Sequence, residues 1–186
     1  VTAITYDNQL AWIGMMLVDK SLRGQGIGKL LMRSIIKELG FCTSVKLDAT
    51  PAGLPVYIKL GFTPETTLYR MTGNLEGTGK IESLKPNIRG IKSADFPKIL
   101  EYDRHLFGVS REGLFSHLIK RSPQFCNLYE NKNGLQGFIM GRPGTRYFQI
   151  GPLSAESKQV ATQLLEMSLN QVKDSSVVVD VFQHQL

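Results

Sequence analysis

A glycine-rich run, Arg23-Gly24-Gln25-Gly26-Ile27-Gly28, lies between an apolar stretch and a helical pattern. Glycines at such a turn let the backbone approach a ligand closely and adopt dihedral angles that other residues avoid. The first N–H groups of the following helix lack partners within the helix, and they lie at the positive end of its dipole. Lys20, Lys29 and Arg33 add positive charge nearby. The run therefore predicts a site for an anion such as a pyrophosphate.

The order of residues in this run excludes two common phosphate-binding motifs. The P-loop pattern GxxxxGK[ST] is absent, and RxxGxG differs from the dinucleotide fingerprint GxGxxG. Taken alone, the run is also compatible with an ordinary turn between a strand and a helix, so both interpretations stay open at this point.

The flanking segments have the patterns of a strand and a helix. Residues 11–18 form an apolar run without alternation, which predicts a strand buried on both faces. Apolar residues then recur at helical spacing over 27–39, and Gly40 is placed to end that helix. Further along, we predict strands at 44–48 and 68–71 and a short helix at 54–60.

A polar, glycine-rich stretch at residues 73–80 predicts a linker. Beyond it, strands alternate with helices, which favours an α/β (α+β) fold with a mixed central sheet flanked by helices in each part. In the second part we predict strands at 87–91, 125–130, 135–142, 147–153 and 177–182, and helices at 94–120, broken near Gly108, and at 156–172.

Three segments of the first part have counterparts in the second. Residues 12–17 are similar to 149–153, residues 30–31 to 164–165, and residues 45–48 to 177–180. We interpret them as an internal repeat, with chance similarity of two strand-helix-strand units as the alternative. Because the second copy has more predicted elements before its matching strand, we expect the chain to start and end inside domains of a longer protein.

Residues 12–28 resemble the acetyl-CoA-binding motif of the GNAT superfamily of N-acetyltransferases, with Arg23, Gly26 and Gly28 at the positions of (Gln/Arg)-x-x-Gly-x-(Gly/Ala). The resemblance implies that backbone N–H groups of this turn hold the pyrophosphate of coenzyme A. It also implies that the preceding strand splays from its neighbour, pairs with the pantetheine arm and polarises the thioester. The implied acetyl-CoA-binding residues are Met16, Leu17, Val18, Arg23, Gly24, Gln25, Gly26, Ile27, Gly28 and Lys29.

A second block, Tyr57-Ile58-Lys59-Leu60-Gly61-Phe62, resembles the Tyr-x-x-x-Gly-Phe block of the same family. The resemblance implies that Tyr57 is catalytic and protonates the leaving thiolate. Many members carry an asparagine just upstream, where this chain has residues 48–51, Asp-Ala-Thr-Pro, so one side-chain contact to the donor is in question. Asp7, Asp48 and Glu65 are candidates for the general base, although carboxylates are more often simply solvated.

The second copy of the repeat lacks the glycines. Its residues 154–159 read Ser-Ala-Glu-Ser-Lys-Gln, and we expect Glu156 in the first helical turn to repel a pyrophosphate and Ser154 to cap the helix. The layout resembles tandem-GNAT proteins. It implies that residues 1–72 are the C-terminal part of an acetyl-CoA-binding domain, that 73–80 are a linker, and that 81–186 are a degenerate, incomplete GNAT-like domain that shapes the substrate cleft or packs like a fixed partner subunit.

Composition narrows the class of function. A net charge of +6 is too modest to argue for nucleic acid, and the apolar stretches are shorter than the roughly 20 residues of a membrane span. His105, His117 and His184 lack metal-ligand spacing, so no metal is expected. Cys42 and Cys126 are predicted to be free thiols in a reducing compartment, which favours a cytoplasmic protein. We expect a monomer with an intramolecular pseudo-dimer, with a homodimer as the alternative.

The resemblance implies an acetyl-CoA-dependent N-acetyltransferase. It would transfer the acetyl group to a primary amine of a small molecule or peptide by direct attack in a ternary complex. Two alternatives remain: a non-catalytic acyl-CoA-binding regulatory or interaction module, and a binder of another phosphorylated ligand.

Overall fold

A computed structural model describes residues 1–75, 86–172 and 175–185. The chain divides into two compact units, Val1–Thr67 and Leu68–Leu186. Each unit contains a mixed sheet flanked by helices, which confirms the predicted α/β (α+β) class with two sheets. In the described residues, no helix is both long and apolar enough to cross a membrane.

The first unit is built on a strand-helix-strand frame. Strand β1 (Thr2–Tyr6) pairs antiparallel with β2 (Leu10–Gly14), and β3 (Ser44–Leu47) pairs parallel with β2. Helix α1 (Ile27–Glu38) connects β2 to β3, and the short helix α2 (Leu54–Ile58) follows. The sequence analysis did not predict β1, although Asp7 and Asn8, with φ of 51° and 53°, form the kind of left-handed turn that joins hairpin strands.

The two faces of the first sheet differ in what covers them. Ala11 and Ile13 of β2 are buried and pack with Met32 of α1. Because side chains alternate along a strand, Trp12 and its cross-strand neighbour Lys46 project from the opposite face. The α1 side therefore holds the core of this unit, and the other face carries polar and aromatic groups.

The second unit has a six-stranded sheet with helices on both faces. One helical pair buries Phe115 against Phe138, and a third helix buries Leu164 against Ile139 on the other face. The strand order is β4-β9-β8-β7-β6-β5. The elements are β4 (Leu68–Asn74), β5 (Ile88–Gly90), α3 (Phe96–Phe107), α4 (Glu112–Arg121), β6 (Asn127–Asn131), β7 (Gly134–Pro143), β8 (Phe148–Ala155), α5 (Lys158–Gln171) and β9 (Ser176–Phe182).

Strand β4 belongs to the second sheet, although the sequence analysis placed most of its residues in the first domain. We expected residues 68–71 to close the first domain and 73–80 to form a linker. Instead β4 pairs with β9 along its whole length, and Arg70 donates to both carboxylate oxygens of Asp180 at 2.7 and 2.8 Å. Gly73 and Asn74 thus lie in a strand, because the valines of β9 offer a pairing edge that local composition does not reveal. The rest of the linker prediction, residues 76–80, lies outside the described residues.

A buried ion pair joins α3 to the start of α4. Asp103 is 1% exposed, and Arg111 donates to both of its carboxylate oxygens, with Nε to Oδ2 at 2.9 Å. The guanidinium of Arg111 also lies 4.1 Å from the ring centre of Phe107 and 5.0 Å from that of Phe115. The charge of Asp103 is therefore compensated inside the apolar layer between helices and sheet.

A second charged group lies where β5, α3 and β6 meet. Arg89 donates to Asp95 at 2.6 Å and to Glu130 at 2.8 Å, and Lys98 donates to Glu130 at 2.6 Å. The hydrogen bond from Arg89 holds the pKa of Asp95 well below its usual range, and the bond from Lys98 lowers the pKa of Glu130. Both carboxyls are therefore ionised in the folded protein at neutral pH.

Candidate functional site

The strand β2 ends in a bend that separates it from β3. Pairing with β3 stops at Ile13, and Met15 has a positive φ of 51°, which is uncommon for a residue with a side chain. In the described part of the chain, the backbone N–H groups of Met16, Leu17 and Val18 donate to no other backbone carbonyl. Residues 16–18 therefore follow the strand with backbone donors that have no backbone acceptor, and we term them the extended segment.

The turn after this segment is held by its own side chains. Asp19 caps a 3₁₀ turn at Lys20–Leu22 by accepting from the backbone N and the Oγ of Ser21, at 2.9 and 2.6 Å. These bonds from Ser21 lower the pKa of Asp19. Arg23 closes the turn, since its Nε donates to the carbonyl oxygen of Val18 at 3.2 Å. These internal hydrogen bonds thus define the shape of the turn.

The glycines of the run have two different roles. Gly24 and Gly26 both have φ of 80°, and a Cβ at either position would meet nothing within 4 Å, so glycine is required there by backbone conformation. A Cβ at Gly28 would lie 3.3 Å from the Cε of Met16 and 3.6 Å from the Cγ2 of Val18. Gly28 therefore lets the first turn of α1 pack closely against the extended segment.

Helix α1 begins without a side-chain cap. Gly26 is its N-cap residue and has no side chain to accept a hydrogen bond. The next N–H groups, from Ile27 onward, face the turn without such a partner, at the positive end of the helix dipole. This arrangement is suited to an anion.

A pocket of about 280 Å³ lies at this junction. Seven of the ten predicted acetyl-CoA-binding residues line it, and Leu17, Gln25 and Lys29 do not. Leu22 also lines the pocket, and the sequence analysis missed it; an apolar residue inside an otherwise polar turn was the available signal. The complete lining consists of Met16, Val18, Leu22, Arg23, Gly24, Gly26, Ile27 and Gly28.

Tyr57, the predicted catalytic acid, lies on α2 and is not among the residues that line the pocket. Its ring meets Phe62 edge to face at 6.2 Å between ring centres, and a Cβ at Gly53 would lie 3.0 Å from its Cε2. Tyr57 and Met16 pack against the same hydrophobic cluster under α1. The tyrosine is thus anchored beside the core that supports the extended segment.

The three candidate bases occupy different places. Asp7 lies in the β1–β2 turn, at the opposite end of β2 from the pocket. Glu65 accepts from Lys46 at 2.6 Å. Asp48 directly follows β3, and its Oδ2 accepts from Nε1 of Trp12 at 3.0 Å. Of these carboxylates, only Asp48 lies at the carboxyl ends of the parallel strands β2 and β3.

The second unit has a corresponding strand–helix junction, at which a serine of the same unit caps the helix. Ile150 pairs with Val179, as Ile13 pairs with Leu47, in the positions that the sequence repeat equates. Helix α5 begins with Ser157 as N-cap, whose Oγ accepts from the N of Val160 at 3.3 Å. This N-terminus therefore already has a side-chain partner.

Two details of the predicted second junction are wrong. Ser154 does not cap the helix because it lies in β8, and Glu156 precedes the helix instead of lying in its first turn. The helix starts two residues later than the periodicity suggested.

Burial, together with a hydrogen bond to Glu156, raises the pKa of Tyr102 well above its usual range.

Metal ligands do not cluster in the described residues, where no group of three or more His, Cys, Asp or Glu side chains could hold an ion. The side chain of His184 lies outside the described part.

Comparison with known proteins identifies the family. One family model described as an acetyltransferase (GNAT) domain matches residues 1–64, and a second with the same description matches residues 99–185. Together the two matches span most of the chain, and each lies within one of the two units. The chain belongs to the GNAT family of acetyltransferases and contains two domains of this type.

Individual relatives agree with this assignment. The chain is 28% identical over 160 residues to YitH of Bacillus subtilis (strain 168), an uncharacterised N-acetyltransferase. It is 26% identical over 179 residues to the holothin acyltransferase of Pseudoalteromonas sp. (strain SANK 73390). These matches cover 84% and 96% of this chain, but only 55% and 59% of the relatives.

A solved structure extends the likeness to three dimensions. The crystal structure of a Pyrococcus horikoshii protein, described as a candidate acetyltransferase, has a TM-score of 0.73 and 26% identity to this chain. The match covers 95% of this chain and 57% of that protein. The chain thus spans little more than half the length of these three proteins.

Proposed function

We propose that the protein is an acetyl-CoA-dependent N-acetyltransferase. It transfers an acetyl group to a primary amine of a small molecule or peptide, by direct attack while both substrates are bound. One observation carries the proposal: the uncapped N-terminus of α1 lies behind the left-handed glycines Gly24 and Gly26 and beside an extended segment with free N–H groups.

The pocket residues fit the donor substrate. The N–H groups at the start of α1 and the guanidinium of Arg23 suit a pyrophosphate. The N–H groups of Met16, Leu17 and Val18 suit the amide-containing pantetheine arm, because they donate to no other backbone carbonyl of the described residues. GNAT domains generally bind acetyl-CoA, and both units match such domains.

The chemical step is a direct acyl transfer. Acetyl-CoA supplies the thioester; the amine nitrogen forms the new C–N bond as the C–S bond breaks. We assign to the N–H of Leu17 or Val18 the stabilisation of charge that develops on the carbonyl oxygen. We assign to the Tyr57 hydroxyl the donation of a proton to the departing sulfur. The proton lost by the amine is released to water, and the Tyr57 hydroxyl is restored by a proton taken up from water.

The second domain is proposed to be degenerate. Ser157 occupies the N-terminus of α5 that a pyrophosphate would need, and Glu156 adds a negative charge just before it. We therefore place a single donor site in the first domain and give the second a structural role.

A non-catalytic acyl-CoA-binding module is the second candidate. It is favoured by the position of Tyr57 outside the pocket lining. Under this alternative the donor binds, but no amine is acylated.

Calorimetric titration with acetyl-CoA tests donor binding. We expect micromolar binding by the wild type and none by Gly26→Glu, which places a carboxylate at the N-terminus of α1. Gly134→Glu is the matched control, since Gly134 has a similar φ of 95° and open space at its Cβ, but is the first residue of β7. Absence of binding by the wild type, or equal loss in both variants, would refute the donor site.

Turnover assays separate the two candidates. Release of free coenzyme A is followed with a panel of amines and with acetyl-, propionyl- and butyryl-CoA, since one relative is named an acyltransferase. Tyr57→Phe is expected to lower kcat about 10²-fold or more while donor binding is kept. Donor binding without turnover on any amine would favour the non-catalytic module.

A further inference from the structure

We infer that Trp12 and Asp48 form the recognition site for the acceptor, and that the acceptor is a primary amine that binds as a cationic ammonium. The inference rests on the proposed acetyl transfer and adds a class of substrate to it. Trp12 and Asp48 would be positioning residues that hold the amine where it can reach the thioester.

The position of the pair matches that role. Strands β2 and β3 are parallel, so their carboxyl ends share one edge of the sheet, and ligands of such sheets bind beyond that edge. Asp48 is the first residue after β3, and pairing between the strands ends at Ile13 and Leu47. The chain leaves β2 at the same edge to form the extended segment that lines the donor pocket.

The contacts of the pair leave groups available to a cation. Nε1 of Trp12 donates to Oδ2 of Asp48 at 3.0 Å, which orients the carboxylate and leaves Oδ1 for another donor. Asp48 is exposed and the indole is half-buried. A carboxylate that is oriented by the indole N–H and keeps a free oxygen suits an ammonium group, which gains a charge-assisted hydrogen bond.

The neighbouring lysine does not compensate Asp48. Lys46 lies two residues earlier on the same face of β3, and its ammonium donates to Glu65 at 2.6 Å. In the contacts of the described residues, Asp48 therefore receives a neutral donor, the indole N–H, and not a cation.

The second domain provides an internal comparison. The repeat equates Asp48 with Asp180 and Trp12 with Gln149. Asp180 accepts from Nε and Nη2 of Arg70, and Gln149 accepts from Arg142. The equivalent carboxylate is thus paired with a cation in the domain proposed to be degenerate, whereas in the first domain it accepts from the neutral indole N–H.

Fluorescence titration of the chain tests the ammonium site without the donor. Trp12 is the only tryptophan in the sequence, so its emission reports on this site. We expect n-butylammonium chloride to change the emission saturably, while n-butanol, or sodium chloride at equal ionic strength, does not. Asp48→Asn, which keeps an acceptor for the indole N–H, is expected to weaken the response about tenfold or more. Asp7→Asn is the control, since it removes one negative charge at the opposite end of β2.

Kinetics with two matched acceptors complete the test. Benzylamine is an ammonium at neutral pH, and aniline is a neutral amine of similar shape. We expect Asp48→Asn to raise the KM for benzylamine about tenfold or more, with the KM for acetyl-CoA unchanged and little effect on aniline. The bound ammonium releases one proton to water before its nitrogen attacks the thioester.

The outcomes separate this inference from the proposed function. An active enzyme whose Trp12 emission ignores n-butylammonium, or whose KM for benzylamine is unchanged in Asp48→Asn, would overturn the inference alone. A protein that binds n-butylammonium at Trp12 but neither binds nor consumes acetyl-CoA would support cation recognition and refute acetyl transfer.

Discussion

Removing one partner of the buried Asp103–Arg111 pair should destabilise the second domain strongly. Asp103 is 1% exposed and Arg111 13%, so Asp103→Ala leaves a guanidinium in an apolar layer without its counter-charge. Breaking such a pair costs about 3–5 kcal/mol in free energy of unfolding. With a urea m-value of about 2 kcal/mol/M, the midpoint would fall by about 1.5–2.5 M. Far-UV circular dichroism during urea titration measures this shift.

Two further variants decide whether burial is the cause. Arg70→Ala removes the 66% exposed partner of Asp180, and we expect a loss of less than about 1 kcal/mol. The double variant Asp103→Leu with Arg111→Met replaces the pair by apolar groups and should recover at least half of the loss caused by Asp103→Ala. The reasoning is refuted if Asp103→Ala costs no more than Arg70→Ala, or if the double variant is as unstable as the single one.

Two other predictions concern the pH dependence of stability in the second domain and the reactivity of the two cysteines. Folding lowers the pKa values of Asp95 and Glu130, so the ionised carboxylates stabilise the protein above their unfolded pKa values and this stabilisation is lost as pH falls. The urea midpoint should therefore decrease below about pH 4.5. An Asp95→Asn variant should show a smaller decrease of the midpoint between pH 7 and 3.5, and an equal decrease would contradict the assignment. Burial raises the pKa of the Cys126 thiol to about 11, whereas Cys42 is only half-buried. Iodoacetamide at pH 8 should therefore modify Cys42 well before Cys126, as measured by peptide mass spectrometry. Equal modification rates in the folded protein would show that Cys126 is accessible.

Much of the candidate site was predictable because its determinants are local. The apolar run, the glycines and the helical spacing follow one another along the chain, and each determines structure only within a few residues of its own position. The order of these residues was enough to place Gly26 at the start of α1, and the anion site that it predicts at the turn stays a prediction. The structure adds what spacing cannot supply, namely that Gly24 and Gly26 adopt a left-handed conformation while Gly28 provides room for Met16 and Val18.

The features that the sequence analysis missed depend on distant partners. Strand β4 resembles a domain end followed by a polar linker, and only its pairing with β9, over one hundred residues later, makes it part of the second sheet. The contact between Trp12 and Asp48 likewise joins residues 36 positions apart. Periodicity within a segment carries no information about such pairings, because β-strand partners are chosen by burial and register across the whole fold.

The two domains share a strand-helix-strand frame but differ at the N-terminus of its helix. In both, a parallel strand pair is joined by a helix whose N-terminus follows the first strand. In the first domain the cap is Gly26, which offers the helix N-terminus no side-chain acceptor. In the second the cap is Ser157, whose hydroxyl satisfies one of the same donors from within. An internal acceptor has no translational entropy to lose, so it competes effectively with any bound anion. On the proposed function, a glycine cap favours donor binding in one domain and a serine cap favours helix stability in the other, without a change of fold.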